Sequence, residues 1–123
     1  MHERAVVAVE TLLNAGESVV YSSQNVREFW NVRTRPIENN GLGLTTLDVA
    51  REVEEIQASL SFVADNEEVY VAWRRLVQQH EVTGAQVHDA NLVAIMIVRN
   101  IDRLLTFNPN HFRRYNSIAI LEP

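Results

Sequence analysis

The chain has 123 residues, 46% of them hydrophobic, a formal net charge of −5 and no cysteine. That length and apolar content suit one domain, 1–123, with one core, and zero Cys excludes disulfides, thiolate metal sites and a Cys nucleophile. The acidic balance argues against a high-affinity, sequence-blind nucleic-acid binder, but not against an enzyme that holds nucleic acid through metal ions.

Residues 2–15, "HERAVVAVETLLNA", place apolar side chains at 5, 6, 9, 12 and 13. This is a helical stripe, and Gly16 stands where a C-terminal cap belongs. "SVVYSS" predicts a short strand that enters a second helix near Ser23. That helix, "QNVREFWNV", presents Val26, Phe29 and Trp30 on one face and must stop before Pro36. "TRPIENNGLGL" is the clear loop, with Pro36, Gly41 and Gly43 as its breakers. Thr45 and Asp48 resemble a capping box for a helix that buries Val49, Val53, Ile56 and Leu60.

"LSFVAD" is a candidate strand, and Asn66 caps the helix after it. Val69, Ala72, Trp73, Leu76 and Val77 then fall at i, i+3, i+4, i+7 and i+8. A further helix is expected from about Asp89 to Arg99. Strands follow at "RLLTF" and "SIAIL", separated by a turn or short helix around "NPNHFRRY". Neither a membrane span nor a signal peptide is expected, because no run of about 18 apolar residues and no charged-then-apolar leader is present. The cytoplasm is therefore the default location.

Strands alternating with helices predict an α/β sandwich whose sheet is mostly parallel. Ligands bind such sheets beyond the carboxyl ends of the strands. That rule selects Ser22–Ser23 and Thr106–Asn108 as the rim of a site. Asp102 lies at the opposite end of its strand, and Asp48 and Asp65 are explained by helix starts and the adjoining loops. Asp89 remains, at the start of an almost wholly apolar helix, where capping and the helix dipole are the structural explanation. Glu28 is the other candidate, too deep in its helix to be a capping-box residue; a solvated Glu paired with a nearby Arg is the plain alternative.

Two carboxylates converging on one rim suit Mg²⁺ or Mn²⁺, hard cations that prefer oxygen ligands. His88 and His111 are either ligands or helix-end side chains satisfied locally. No two His stand at i, i+4, so a zinc-protease motif is absent. All 11 basic residues are Arg. Arg33 and Arg35 border the Gly-containing loop, where a planar guanidinium could grip an RNA backbone; ordinary surface Arg is the alternative.

"SSQNVREFWNVRTRP", followed far downstream by "VHDANLVAIMIV" and "LLTFNPNHFRRYNSIAIL", resembles the PIN domain, the fold of VapC-type toxin ribonucleases and related nucleases. The likeness spans nearly the whole chain and rests on the order and spacing of these segments. It implies a three-layer α/β/α sandwich and a metal-dependent endoribonuclease of toxin–antitoxin type, using Mg²⁺ or Mn²⁺. Glu28 matches the family's second acidic position and Asp89 its third. Thr106 matches the Thr or Ser after the fourth strand, and Asn108 takes a place usually held by Asp. By this likeness Glu28, Asp89 and Asn108 would hold metal, while Thr106 and Asn108 would position water or phosphate.

Two departures follow from the same comparison. The family begins with an apolar strand ending in Asp, whereas this chain opens directly in the first helix at "MHERAV". The first acidic ligand then has no counterpart, and an N-terminally shortened domain is the expectation. That strand belongs in the middle of the sheet, so its absence predicts either a gap or a new pairing between "SVVY" and "RLLTF", with exposed edges. Self-association into a homo-oligomer is one way to cover them.

Asn108 and His111 where Asp is common weaken the cation site further. The leading reading is thus a PIN-like ribonuclease with weak or absent activity. The alternative is a catalytically silent module that binds RNA or an antitoxin-like protein, with an apolar groove along helices 45–60 and 66–80. A remnant with no function of its own is the third.

Overall fold

The computed structural model describes residues 2–123. They form a mixed α/β fold of five α-helices and four short parallel strands. α1 (His2–Asn14) ends where Gly16, at φ 83°, lets the Glu17 N–H turn back to the Leu12 carbonyl at 3.0 Å. β1 (Val20–Ser22) runs into α2 (Ser23–Thr34) with no loop between them. Ser22 makes this possible, because it is both the last strand residue and the helix N-cap. Its hydroxyl accepts from the Asn25 N–H, and the Asn25 side chain accepts from the Ser22 N–H at 2.8 Å. The reciprocal bonds satisfy two backbone donors that would otherwise be buried unpaired.

After α2 the loop passes through a 3-10 turn at Ile37–Asn39. Gly41 is buried against Arg35 so closely that a Cβ would stand 1.9 Å from the Arg35 carbonyl oxygen, which only glycine permits. α3 (Thr46–Ser59) is capped by Thr45, and α4 (Glu67–Gln79) by Asn66, whose Oδ1 accepts from the Val69 N–H at 2.9 Å. β2 (Ser61–Val63) lies between those helices, while β3 (Arg103–Leu105) and β4 (Ala119–Leu121) follow α5 (Gln86–Val98).

Two of the expectations need correcting. α5 begins at Gln86, not at Asp89, because 3-10-type bonds from Val87 to Gly84 and from His88 to Ala85 start the helix a turn early. Its N-cap is Ala85, which makes no side-chain bond, and Asp89 sits inside the first turn without a capping role. Phe29 and Trp30 are only half-buried, and Gln24 is the buried residue of α2.

The strands form two separate sheets. β1 pairs with β2 in the register Val20–Ser61, Tyr21–Phe62 and Ser22–Val63. β3 pairs with β4 in the register Arg103–Ala119, Leu104–Ile120 and Leu105–Leu121. No pairing joins β1 to β3. Of the two outcomes expected for the sheet, the gap is the one found. The start of one half-sheet is tied to the start of the other, since Glu17, just ahead of β1, ion-pairs at 2.5 Å with Arg103, the first residue of β3.

The core lies on one side of this divided sheet. α4 and α5 pack Val69 and Leu76 against Ala90, Val93 and Ala94, with Phe112 and Tyr115 closing the cluster. α5 is apolar almost all round, which is the pattern of a helix covered on several sides. No helix among the described residues is long and apolar enough to cross a membrane.

Val93 is fully buried at the centre of this cluster. Val93→Ala is expected to cost about 2–3 kcal/mol through lost burial and an unfilled cavity. Urea unfolding should show a lower midpoint at an unchanged slope.

Candidate functional site

Three segments meet beyond the carboxyl ends of the strands. α2 leaves directly from the end of β1, α5 contributes its first turn, and the chain after β3 turns through Thr106–Asn108 into a 3-10 turn at Pro109–His111. Glu28 projects from α2 and is exposed, while Asp89 is half-buried. The two carboxylates lie close enough to repel, since Glu28 contributes to raising the Asp89 pKa. Neither carboxylate is paired with an Arg among the described residues.

Gln24 explains how these carboxylates are held together. It stands one turn before Glu28 on the same face of α2. Its Nε2 donates to the His88 carbonyl at 2.6 Å and to Glu28 Oε1 at 3.2 Å. Its Oε1 accepts from Asn91 Nδ2 at 3.2 Å, and the same Asn91 amide donates to Asp65 Oδ2 at 3.2 Å. One buried amide therefore clamps the first turn of α5 to α2, on the residue next to Asp89. Sequence reading passed over Gln24 and Asn91. The signal available was a polar residue four positions ahead of Glu28 in a helix that starts at a strand end.

Burial is the main cause of the raised Asp89 pKa. His111 opposes it, with Nδ1 3.4 Å from Asp89 Oδ2; Glu28 adds to the rise, and His88 lowers it. The 3-10 turn thus delivers His111 to the carboxylate. Thr106 Oγ1 accepts from the Asn108 N–H at 3.0 Å, fixing the turn after β3. Among the described residues no hydrogen bond joins Asn108 to either carboxylate.

The two arginines are placed differently. Arg33 makes a two-pronged ion pair with Glu52 of α3, and its guanidinium also lies over the Phe29 ring. With only 13% of its side chain exposed, it ties α2 to α3 and faces away from the rim. Arg35 donates to the Asn40 carbonyl at 3.2 Å and braces the loop.

An open pocket of about 690 Å³ adjoins Glu28, lined by Gln24, Arg27, Glu28, Trp73, His88 and Asn91 among others. The Trp73 indole is locked by donation to the Val87 carbonyl at 2.8 Å. Among the described residues no three His, Asp or Glu side chains converge as a metal-holding group. Two carboxylates suffice, however, for a cation such as Mg²⁺ that keeps several waters. No protein-family model matches the chain, and no curated protein matches it significantly.

Two predictions follow from the clamp and the buried acid. Gln24→Ala should cost about 2 kcal/mol, because it removes the donor to the His88 carbonyl and one of the two acceptors of the Asn91 amide; chemical denaturation measures this directly. Since the folded protein binds the Asp89 proton more tightly than the unfolded chain does, ionising Asp89 costs stability as the pH rises above its ordinary value of 3.8. Asp89→Asn is therefore expected to raise the melting temperature near pH 7 by a few degrees, with the gain vanishing below about pH 4. Melting curves of both proteins between pH 3.5 and 7.5 would expose a pH-independent difference, which this account does not allow.

Proposed function

We propose that the chain is a PIN-like, metal-dependent phosphodiesterase acting on RNA, of toxin–antitoxin type, with weak activity in its present form. The observation that carries this reading is the meeting of Glu28 and Asp89, without Arg partners, at the strand-end rim. A PIN-like three-layer sandwich accommodates the helices and the two parallel half-sheets. The cytoplasm, where RNA is met, is the compartment this function requires.

Glu28 and Asp89 would hold Mg²⁺ or Mn²⁺, which supplies an activated water and neutralises charge on the phosphate. Gln24 keeps the two acids in register. His111, on Asp89, can move a proton at the carboxylate edge of the site. Thr106 and the Asn108 amide are available to water or phosphate. Arg27, which lines the pocket beside Glu28, is better placed than Arg33 to meet an RNA backbone, and Arg35 borders the loop farther along.

The second reading, a silent module that binds RNA or an antitoxin-like protein, is favoured by one observation. Although His111 approaches Asp89, no group of three acidic or His side chains that could hold a metal is found among the described residues. Mn²⁺ separates the two readings. At about 100 times its dissociation constant, a cation bound to the folded state adds roughly 2.7 kcal/mol. Millimolar Mn²⁺ should raise the melting temperature of the parent protein, but not that of Asp89→Asn or Glu28→Gln, and single-stranded RNA should be cut slowly by the parent alone. Equal melting temperatures with and without Mn²⁺, together with uncut RNA, would leave the binding module as the better description.

A further inference from the structure

We infer that the pocket between α2, α4 and the first turn of α5 is a base-reading subsite, which takes one adenine of an RNA strand beside Glu28. The source of the base rests on the RNA reading above, but nothing in the inference depends on metal chemistry.

The pocket is built on two consecutive carbonyls. The Trp73 indole, from α4, donates to the Val87 carbonyl at 2.8 Å, and Gln24 Nε2, from α2, donates to the His88 carbonyl at 2.6 Å. Both helices are therefore anchored to one turn of α5, which sets the spacing of the pocket walls before any ligand arrives. Its volume of about 690 Å³ falls within the range of about 300–1,000 Å³ usual for small-molecule sites. Trp73 is half-buried, and because its N–H bond lies in the ring plane it leaves the π-face available for stacking. Tyr70, 59% exposed, lies 6.1 Å from it between ring centroids and extends the aromatic surface along α4.

The lining decides the chemistry of the occupant. Arg27 and Glu28 bring opposite charges to the same pocket, so an anion gains little by entering it. Gln24, Asn31, His88 and Asn91 are polar, so an aliphatic chain would strip their groups of water without replacing it. A flat, uncharged ring with polar edges meets both conditions, and a nucleobase stacked on an aromatic side chain is such a ring.

Asn31 supplies the choice among bases. It is exposed, and it lies one turn after Arg27 on the same side of α2. Its carboxamide sets a donor beside an acceptor, which matches N7 and N6–H of adenine; guanine presents two acceptors, N7 and O6, on that edge. Gln24 is spent on holding α5 and Glu28. Arg27, tied by one nitrogen to Ser23 Oγ at 3.1 Å, keeps its other N–H groups for the adjoining phosphate. Glu28 lines the same pocket, so the base held there belongs to a nucleotide at or next to the bond presented to the acids.

The test is run in EDTA, where metal-dependent cleavage is suppressed, on Trp30→Phe protein, so that Trp73 is the sole indole. The probes are AMP and four-nucleotide RNAs made of uridines alone, or of uridines with one adenosine or one guanosine. The adenosine RNA should quench Trp73 emission and bind about tenfold more tightly than the guanosine RNA. Asn31→Ala, at an exposed position, should fold normally and lose that preference. By anisotropy of a labelled RNA, Trp73→Phe should keep more affinity than Trp73→Leu. Equal affinity for the adenosine and guanosine RNAs, or an unchanged preference in Asn31→Ala, would overturn the inference. AMP binding as tightly as the RNA would also overturn it, by making this a site for a free nucleotide. The two readings fail separately. Cleavage with Mn²⁺ but no base preference removes the subsite alone, whereas adenine binding with RNA uncut in Mn²⁺ upholds the subsite and removes the nuclease.

Discussion

Helix α5 is the part on which the rest of this molecule depends. Its apolar residues face several neighbours at once. Ala90, Val93 and Ala94 build the core with α4, while Leu92, Ile95 and Met96 reach the cleft between the half-sheets. Its first turn is gripped by Gln24 of α2 and brings Asp89 to the rim. The same burial that fixes the helix also raises the pKa of its one acid. Stability and potential chemistry are thus coupled through a single element: the helix must be buried for the fold to stand, and that burial makes an ionised Asp89 costly until a cation or an imidazolium compensates it.

The divided sheet gives the molecule an asymmetric distribution of order. On the α4–α5 side, side chains are close-packed and fully buried. Across the sheet, β1 and β3 are half-buried three-residue strands with one neighbour each, and Tyr21 leans on the exposed Phe62 ring for company. α1 closes over this weaker side, and its start is held at the carboxyl end of the strands by Arg4, which donates to the Pro123 carbonyl and lies over Phe107. Few-contact regions of this kind open at low free energy. The candidate rim and the weak side of the sheet share β1 and the end of β3, so Glu28 and Thr106 rise from the less ordered half of the molecule.

The site itself shows how ordinary capping chemistry can place a functional group. Ser22 ends a strand and starts a helix through reciprocal bonds with Asn25, which removes any loop between β1 and α2. Gln24 is consequently buried at the strand end, and Glu28 follows one turn later at the edge of the pocket. Asp89, by contrast, carries no capping role because α5 starts early, at Gln86, and it pairs with His111 instead. Arg33, whose charge looked available to a polyanion, is consumed by Glu52, a pair that joins α2 to α3.

Local pattern determined most of the elements. The stripes along α3 and α4, the caps at Thr45 and Asn66, the stop before Pro36 and the parallel character of the strands could all be read from the chain, because helix period, capping and breakers act over a few residues. Glu28 and Asp89 were also legible as candidates, since acids near helix starts at one end of a parallel sheet converge by topology. Other features belonged to the tertiary structure alone. The early start of α5 at Gln86, the burial of Gln24 between α2 and α5, the approach of His111 to Asp89 and the capture of Arg33 by Glu52 each join residues between 19 and 64 positions apart, or rest on weak turn bonds with no residue signature. The choice of a gap over a new β1–β3 pairing was likewise decided in three dimensions, because no short-range pattern in either strand records the distance between the half-sheets.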